Sequence, residues 1–140
     1  MMSCLILDTS LKSCSVILLI EDKLFIKNAS TDLQHGRLIL QFCEELLSQA
    51  KLTLSQVSAI AFVNGPGSFT GVRIGASVAQ GISLANNLNI IALPSGKVEN
   101  YNTLEKYQRE YLVPLAKEHW HKKQFITPEE VSPVYLNDIY

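Results

Sequence analysis

Two short stretches hold the residues whose types and spacing could do chemistry. The first is Asp8-Thr9-Ser10, which follows the apolar run "SCLIL". A strand ending in an acid, with hydroxyls in the next turn, can place a carboxylate beside a phosphate-contacting loop. The same three residues can also do no more than satisfy the amides of a turn. The second stretch is Asn64–Gly75, "NGPGSFTGVRIG", with four glycines, one proline and one charge. Backbone N–H groups gathered at the start of a helix can hold an anion. On that reading Asp8, Thr9, Ser10, Gly65, Gly67 and Ser68 are candidate anion or nucleotide contacts. The other reading is a tight strand-to-helix turn.

The standard nucleotide templates fail on named residues. A Walker loop needs a lysine after its last glycine, and Val72 follows Gly71. Thr70 stands where a dinucleotide fingerprint has its third glycine, and no ribose-binding acid follows about 20 residues later. Pro66 occupies the first position of a nucleophile elbow around Ser68. Residues 46–98 contain no Asp or Glu at all, so carboxylate or metal catalysis centred on this loop has no ligands to use. His119 and His121 are two apart, face different directions and make no zinc pair. No catalytic residue, metal ligand or cofactor is expected.

The elements that must position these stretches follow from periodicity. Residues 3–10 read as a buried strand, and residues 14–20 and 23–30 as a hairpin turning at Glu21-Asp22. From His35 the period becomes helical. Ile39, Leu40, Phe42, Cys43, Leu46, Leu47 and Ala50 span an arc of about 160°, wider than one sheet requires. Residues 57–63 form a fourth strand, residues 69–86 a helix that Ser68 or Thr70 can cap, and residues 89–93 a fifth strand. The order β-β-β-α-β-α-β predicts a mixed α/β sheet with helical crossovers. Residues 103–123 read as a polar helix interrupted near Pro114.

Gly71, Gly75 and Ala79 recur every fourth residue, and Arg73 is the only charge across residues 69–86. Each glycine inside a helix costs about 1 kcal/mol relative to alanine. Such a ridge lets another backbone come close, and a helix this apolar is buried on more than one side. Another subunit is the expected second neighbour.

The 140 residues suit one domain. A net charge of -1 argues against electrostatic nucleic-acid binding as the main activity. Three cysteines without metal-like spacing read as reduced thiols, and no segment is a signal or membrane span; a soluble cytoplasmic protein is expected.

The runs "ILDTS", "HG" opening the first helix, "LTLSQVSAIAFVNGPGSFTGVRIG", "AQGISLANNLNIIALPS" and "PVYLND" together closely resemble the TsaB (YeaZ) family. Its members are scaffold subunits in tRNA threonylcarbamoyladenosine (t6A) biosynthesis. The match is dense over residues 3–96 and weaker beyond. The resemblance implies an actin-like, sugar-kinase-like (ASKHA, ribonuclease H-like) lobe without catalysis over residues 1–97, followed by a C-terminal helix and tail over residues 98–140. It implies docking of a TsaD-like transferase, contact with a TsaE-like ATPase through that complex, only indirect contact with tRNA, a homodimer when alone, and no membrane. The two lobe helices carry the family's interface. Transferred here, the partner-facing residues are His35, Ile39, Phe42, Cys43 and Leu46 on the first helix, and Gly71, Val72, Gly75, Ala76, Ala79 and Ile82 on the second. The family's second α/β lobe, expected after the fifth strand, is missing from this sequence. Two alternatives stand beside the scaffold reading: a nucleotide-binding ASKHA-type enzyme, and a vestigial, truncated family member.

Overall fold

The computed structural model describes residues 2–30 and 35–131, with the side chains of His35 and Phe69 outside that description. Five strands make one mixed sheet in the order β3-β2-β1-β4-β5. They are β1 (Ser3–Asp8), β2 (Ser13–Ile20), β3 (Lys23–Ser30), β4 (Ala59–Gly65) and β5 (Asn89–Pro94). The hairpin register runs Ile6↔Ile17 and Ile17↔Ile26, with both pairs antiparallel. β1 then pairs parallel with β4, and β4 with β5. Crossover helices between parallel strands account for this switch, because parallel neighbours cannot be joined by a tight turn.

Side chains alternate along each strand, so the sheet divides the core in two. Leu5, Leu7, Val16, Leu18, Ile60 and Phe62 point to one side, where α1 (His35–Ala50) and α2 (Phe69–Asn86) cover them. Cys4, Ile6, Ile17, Leu19, Ala61 and Ile91 point to the other side. That side is covered by a continuous helical segment: α3 (Leu104–Tyr107), a π-turn (Gln108–Leu112) and α4 (Val113–His121). Because both faces are covered, every residue of β1 is buried, and its interior, residues 4–7, reads as an unbroken apolar run.

The helix expected to break near Pro114 does not break. The π-turn precedes it, and the Val113 N–H donates to the Gln108 carbonyl, one residue farther back than in an α-helix. Pro114 follows directly on this π-turn, whose wider winding makes room for a residue without an N–H inside the continuous segment. Nor is this segment polar throughout, since Tyr107, Gln108, Leu112, Val113 and Ala116 are buried. Gln108 is fully buried because its side-chain amide exchanges hydrogen bonds of 3.2 and 2.7 Å with that of Asn28 on β3. The expected tail motif Pro133–Asp138 lies outside the described residues.

Candidate functional site

The Asp8-Thr9-Ser10 turn and the glycine loop do come together, in direct contact. Asp8 Oδ1 accepts from the Ser10 amide at 3.0 Å and the Ser10 hydroxyl at 2.6 Å. The Ser68 amide donates to the Ser10 carbonyl at 3.2 Å, and the Thr9 hydroxyl to the Gly71 carbonyl at 2.6 Å. Ser68 caps α2, its hydroxyl accepting from the Gly71 amide at 3.1 Å. The loop is held from its other side by the Ser95 hydroxyl, which donates to the Pro66 carbonyl at 2.6 Å. Gly65 has φ 101°, a left-handed conformation that favours glycine.

The glycines are small for a reason the geometry makes plain. A Cβ at Gly67 would lie 2.7 Å from the Ser10 carbonyl oxygen, and one at Gly75 would lie 2.8 Å from Thr9 Oγ1. At Gly71 it would overlap the Thr9 carbonyl. The thin ridge of α2 is therefore filled by the chain's own β1 turn. The Ser68 and Gly71 amides, which an anion nest would offer, already have partners within the fold.

Asp8 is buried, and burial pushes its carboxyl above the usual range against the opposing pull of the Ser10 hydrogen bonds. Among the described residues its Oδ2 has no hydrogen-bond partner, and neither has the buried hydroxyl of Ser15, which faces Asp8 across β1–β2. A buried carboxyl of this kind suits an anion poorly. Burial also pushes the Cys4 and Cys43 thiols up to about 12 and Cys14 up to about 11, which makes them poor nucleophiles. Among the described residues no three His, Cys, Asp or Glu side chains are grouped to hold a metal.

The same geometry shows where the expected partner-facing residues lie within this chain. Ile39, Cys43 and Leu46 on α1, and Val72, Ala76, Ala79 and Ile82 on α2, are buried in this chain's own core, as are Gly71 and Gly75. Of the described side chains in that set, Phe42 alone is not buried, and His35 lies outside the description.

Other residues of the two helices are more exposed. Thr70, Arg73, Ile74, Ser77 and Val78 line a 350 Å³ groove along the outer side of α2. Their spacing i, i+3, i+4, i+7, i+8 is one helical face, and Gly81 and Leu84 continue it with exposed positions. Leu40 on α1 and Leu84 on α2, at 51% and 63% exposure, are the exposed large hydrophobic residues among those described. A sequence signal for this face existed in Leu84, which falls outside the Gly71–Gly75–Ala79 ridge.

Comparison with known proteins agrees with the fold. The family model described as "TsaD: tRNA N6-adenosine threonylcarbamoyltransferase" matches residues 29–116. The tRNA threonylcarbamoyladenosine biosynthesis protein TsaB of Haemophilus influenzae is 39% identical over 109 residues, 78% of this chain and 46% of its own length. That of Escherichia coli is 37% identical over 66% of this chain and 40% of its own. The structure of YeaZ from Pseudomonas aeruginosa superposes with a TM-score of 0.69 at 36% identity, covering 79% of this chain and 50% of that one. This chain thus spans about half the length of the curated relatives it matches. The mixed sheet with helices on both faces is the actin-like α/β fold of those relatives, and the chain belongs to the TsaB/YeaZ family.

Proposed function

We propose that this chain is a scaffold subunit of the t6A tRNA-modification machinery, docking a TsaD-like transferase through the outer faces of α1 and α2. One observation carries the reading: among the described residues the two exposed large hydrophobics, Leu40 and Leu84, sit one on each of these helices, and a groove runs along α2. Contiguous exposed apolar surface marks contact sites, and Leu84 continues the helical face on which Ile74 and Val78 line the groove. In this role the chain holds no catalytic centre of its own. The buried Asp8 carboxyl and the internally bonded glycine loop serve the fold. A TsaE-like ATPase and tRNA are reached only through the complex, in the cytoplasm, and the same face pairs two copies when the transferase is absent. Residues 1–97 act as the docking lobe, and residues 98–140 as an arm that braces it.

Co-expression with the TsaD-like protein of the same cell, followed by affinity capture, tests this. The wild type should bring the transferase down. Leu40→Glu and Leu84→Glu should abolish capture while leaving the unfolding midpoint in place. Unchanged capture by both variants would remove the assignment. Complementation of a strain lacking its full-length TsaB separates a working scaffold from a vestigial one, because only the former restores t6A in tRNA.

A further inference from the structure

The two edges of the sheet are treated differently. At β5, the Ile126 amide donates to the Ile90 carbonyl at 2.9 Å, an isolated bridge that covers part of that edge. At β3, no strand pairs with the outer edge among the described residues. An open edge presents unpaired N–H and C=O groups and is usually blunted by charge. Here the middle of the strand is Leu24-Phe25-Ile26, all half-buried. The lysine that follows does not guard it. Lys27 folds back onto α1, forming an ion pair with Glu45 and lying 6.0 Å from the Phe42 ring centre.

Each face beside β3 carries a groove, and successive β3 residues line them alternately. Lys23 and Phe25 line a 260 Å³ groove with Ile20, Lys51 and Leu52. Leu24, Ile26 and Asn28 line a 300 Å³ groove with Glu105 and Arg109 on the opposite face. An added strand would send its own alternate side chains into these two grooves. The first groove has an apolar floor and two exposed lysines at its rim, Lys23 and Lys51, with no carboxylate in ion-pair contact among the described residues. In the second groove, Glu105 and Arg109 neutralise each other at 3.0 Å.

We propose that the outer edge of β3 is a strand-addition site for an extended peptide segment of a partner protein, apolar at its centre and acidic at its ends. Main-chain pairing with β3 supplies the register. The flanking grooves take the apolar side chains, and Lys23 and Lys51 select for carboxylates. This site centres on β3 and takes only Gln49 and Ala50 from the end of α1, so its test does not depend on the α1–α2 docking face.

The probe is a terminally blocked, fluorescein-labelled peptide, Glu-Glu-Val-Tyr-Val-Tyr-Glu-Glu, compared by anisotropy with its lysine-ended counterpart. The acidic peptide should bind about tenfold or more tightly than the basic one, by charge complementarity at the rim. The Lys23→Glu/Lys51→Glu variant should invert that order, with its circular dichroism spectrum and unfolding midpoint retained because both side chains are exposed. N-methylation of alternate peptide amides along one edge should weaken binding by about tenfold or more, a loss that contact through side chains alone would not produce. Equal binding of the two peptides, indifference to N-methylation, or no binding of the acidic peptide each overturns the proposal. Concentration-dependent dimerisation of the wild type that Lys23→Glu strengthens would assign the edge to a second copy, and overturns it too.

Discussion

The inner and outer faces of α2 are built from similar residues and meet different neighbours. Gly71, Gly75, Ala76 and Ala79 form the inner stripe, and Thr70, Ser77, Gly81 and Leu84 the outer one. Both follow helical spacing, so spacing cannot say which faces a partner. What separates them is a backbone. The Thr9 carbonyl and hydroxyl occupy the place where side chains on the inner stripe would stand, whereas a Cβ at Gly81 meets nothing within 4 Å. A ridge of small residues marks the close approach of some main chain, and here that main chain is the protein's own.

Substitutions on the two faces should break this comparison if it is wrong. The largest effect belongs to Gly71→Ala, where the added methyl overlaps the Thr9 carbonyl. Overpacking against backbone should cost about 3 kcal/mol in urea unfolding. A loss under about 0.5 kcal/mol would show that the close approach is not real. Next is Leu84→Glu on the outer face. Stability should hold to within about 0.5 kcal/mol, while affinity for the transferase falls at least about tenfold, roughly 1.4 kcal/mol. Thr9→Val should cost about 1 kcal/mol by removing the 2.6 Å hydrogen bond to the Gly71 carbonyl. Gly81→Ala, in open space on the same helix, should raise stability by about 0.5–1 kcal/mol.

The smallest expected effect is a slope. Burial raises the Asp8 carboxyl above its ordinary value of 3.8, so the folded chain holds its proton where the unfolded chain has lost it. The stability this gives is fully present below about pH 4 and is lost as pH rises through the folded value. Asp8→Asn lacks that loss and keeps an oxygen for the Ser10 hydrogen bonds. The stability of the wild type relative to this variant should therefore decline as pH increases from about 4 in matched denaturant titrations. A flat or rising difference would mean that Asp8 is not held in a dry environment.

Much of this architecture was legible in the residues. The hairpin at Glu21-Asp22, the two crossover helices and the Ser68 cap all follow from local pattern and turn chemistry. The inward stripe of α2 was not legible, because a helix apolar around most of its circumference has no unique inner side. The burial of Gln108 was also hidden. Its partner Asn28 is 80 residues away, and a glutamine in a helix otherwise reads as exposed. Pro114 misled for a related reason. It forbids one hydrogen bond in a regular helix, but the change of turn that absorbs it is fixed by contact with the sheet.

That change of turn has a consequence for chain length. A π-turn accommodates one residue more than the α-turn it replaces, so Gln108–Leu112 is a place where the chain can shorten by one without losing phase. Removing the exposed Glu110 would let the segment wind uniformly, with the Tyr107 hydroxyl still accepting from the Gly96 amide at 2.9 Å and Val113 still on the sheet. Removing a second residue would swing the two halves apart by about 100°, turning either the tyrosines or the apolar face of α4 into solvent. The segment thus has a one-residue tolerance in length, and its limit is set by how many anchors it must keep aimed in the same direction.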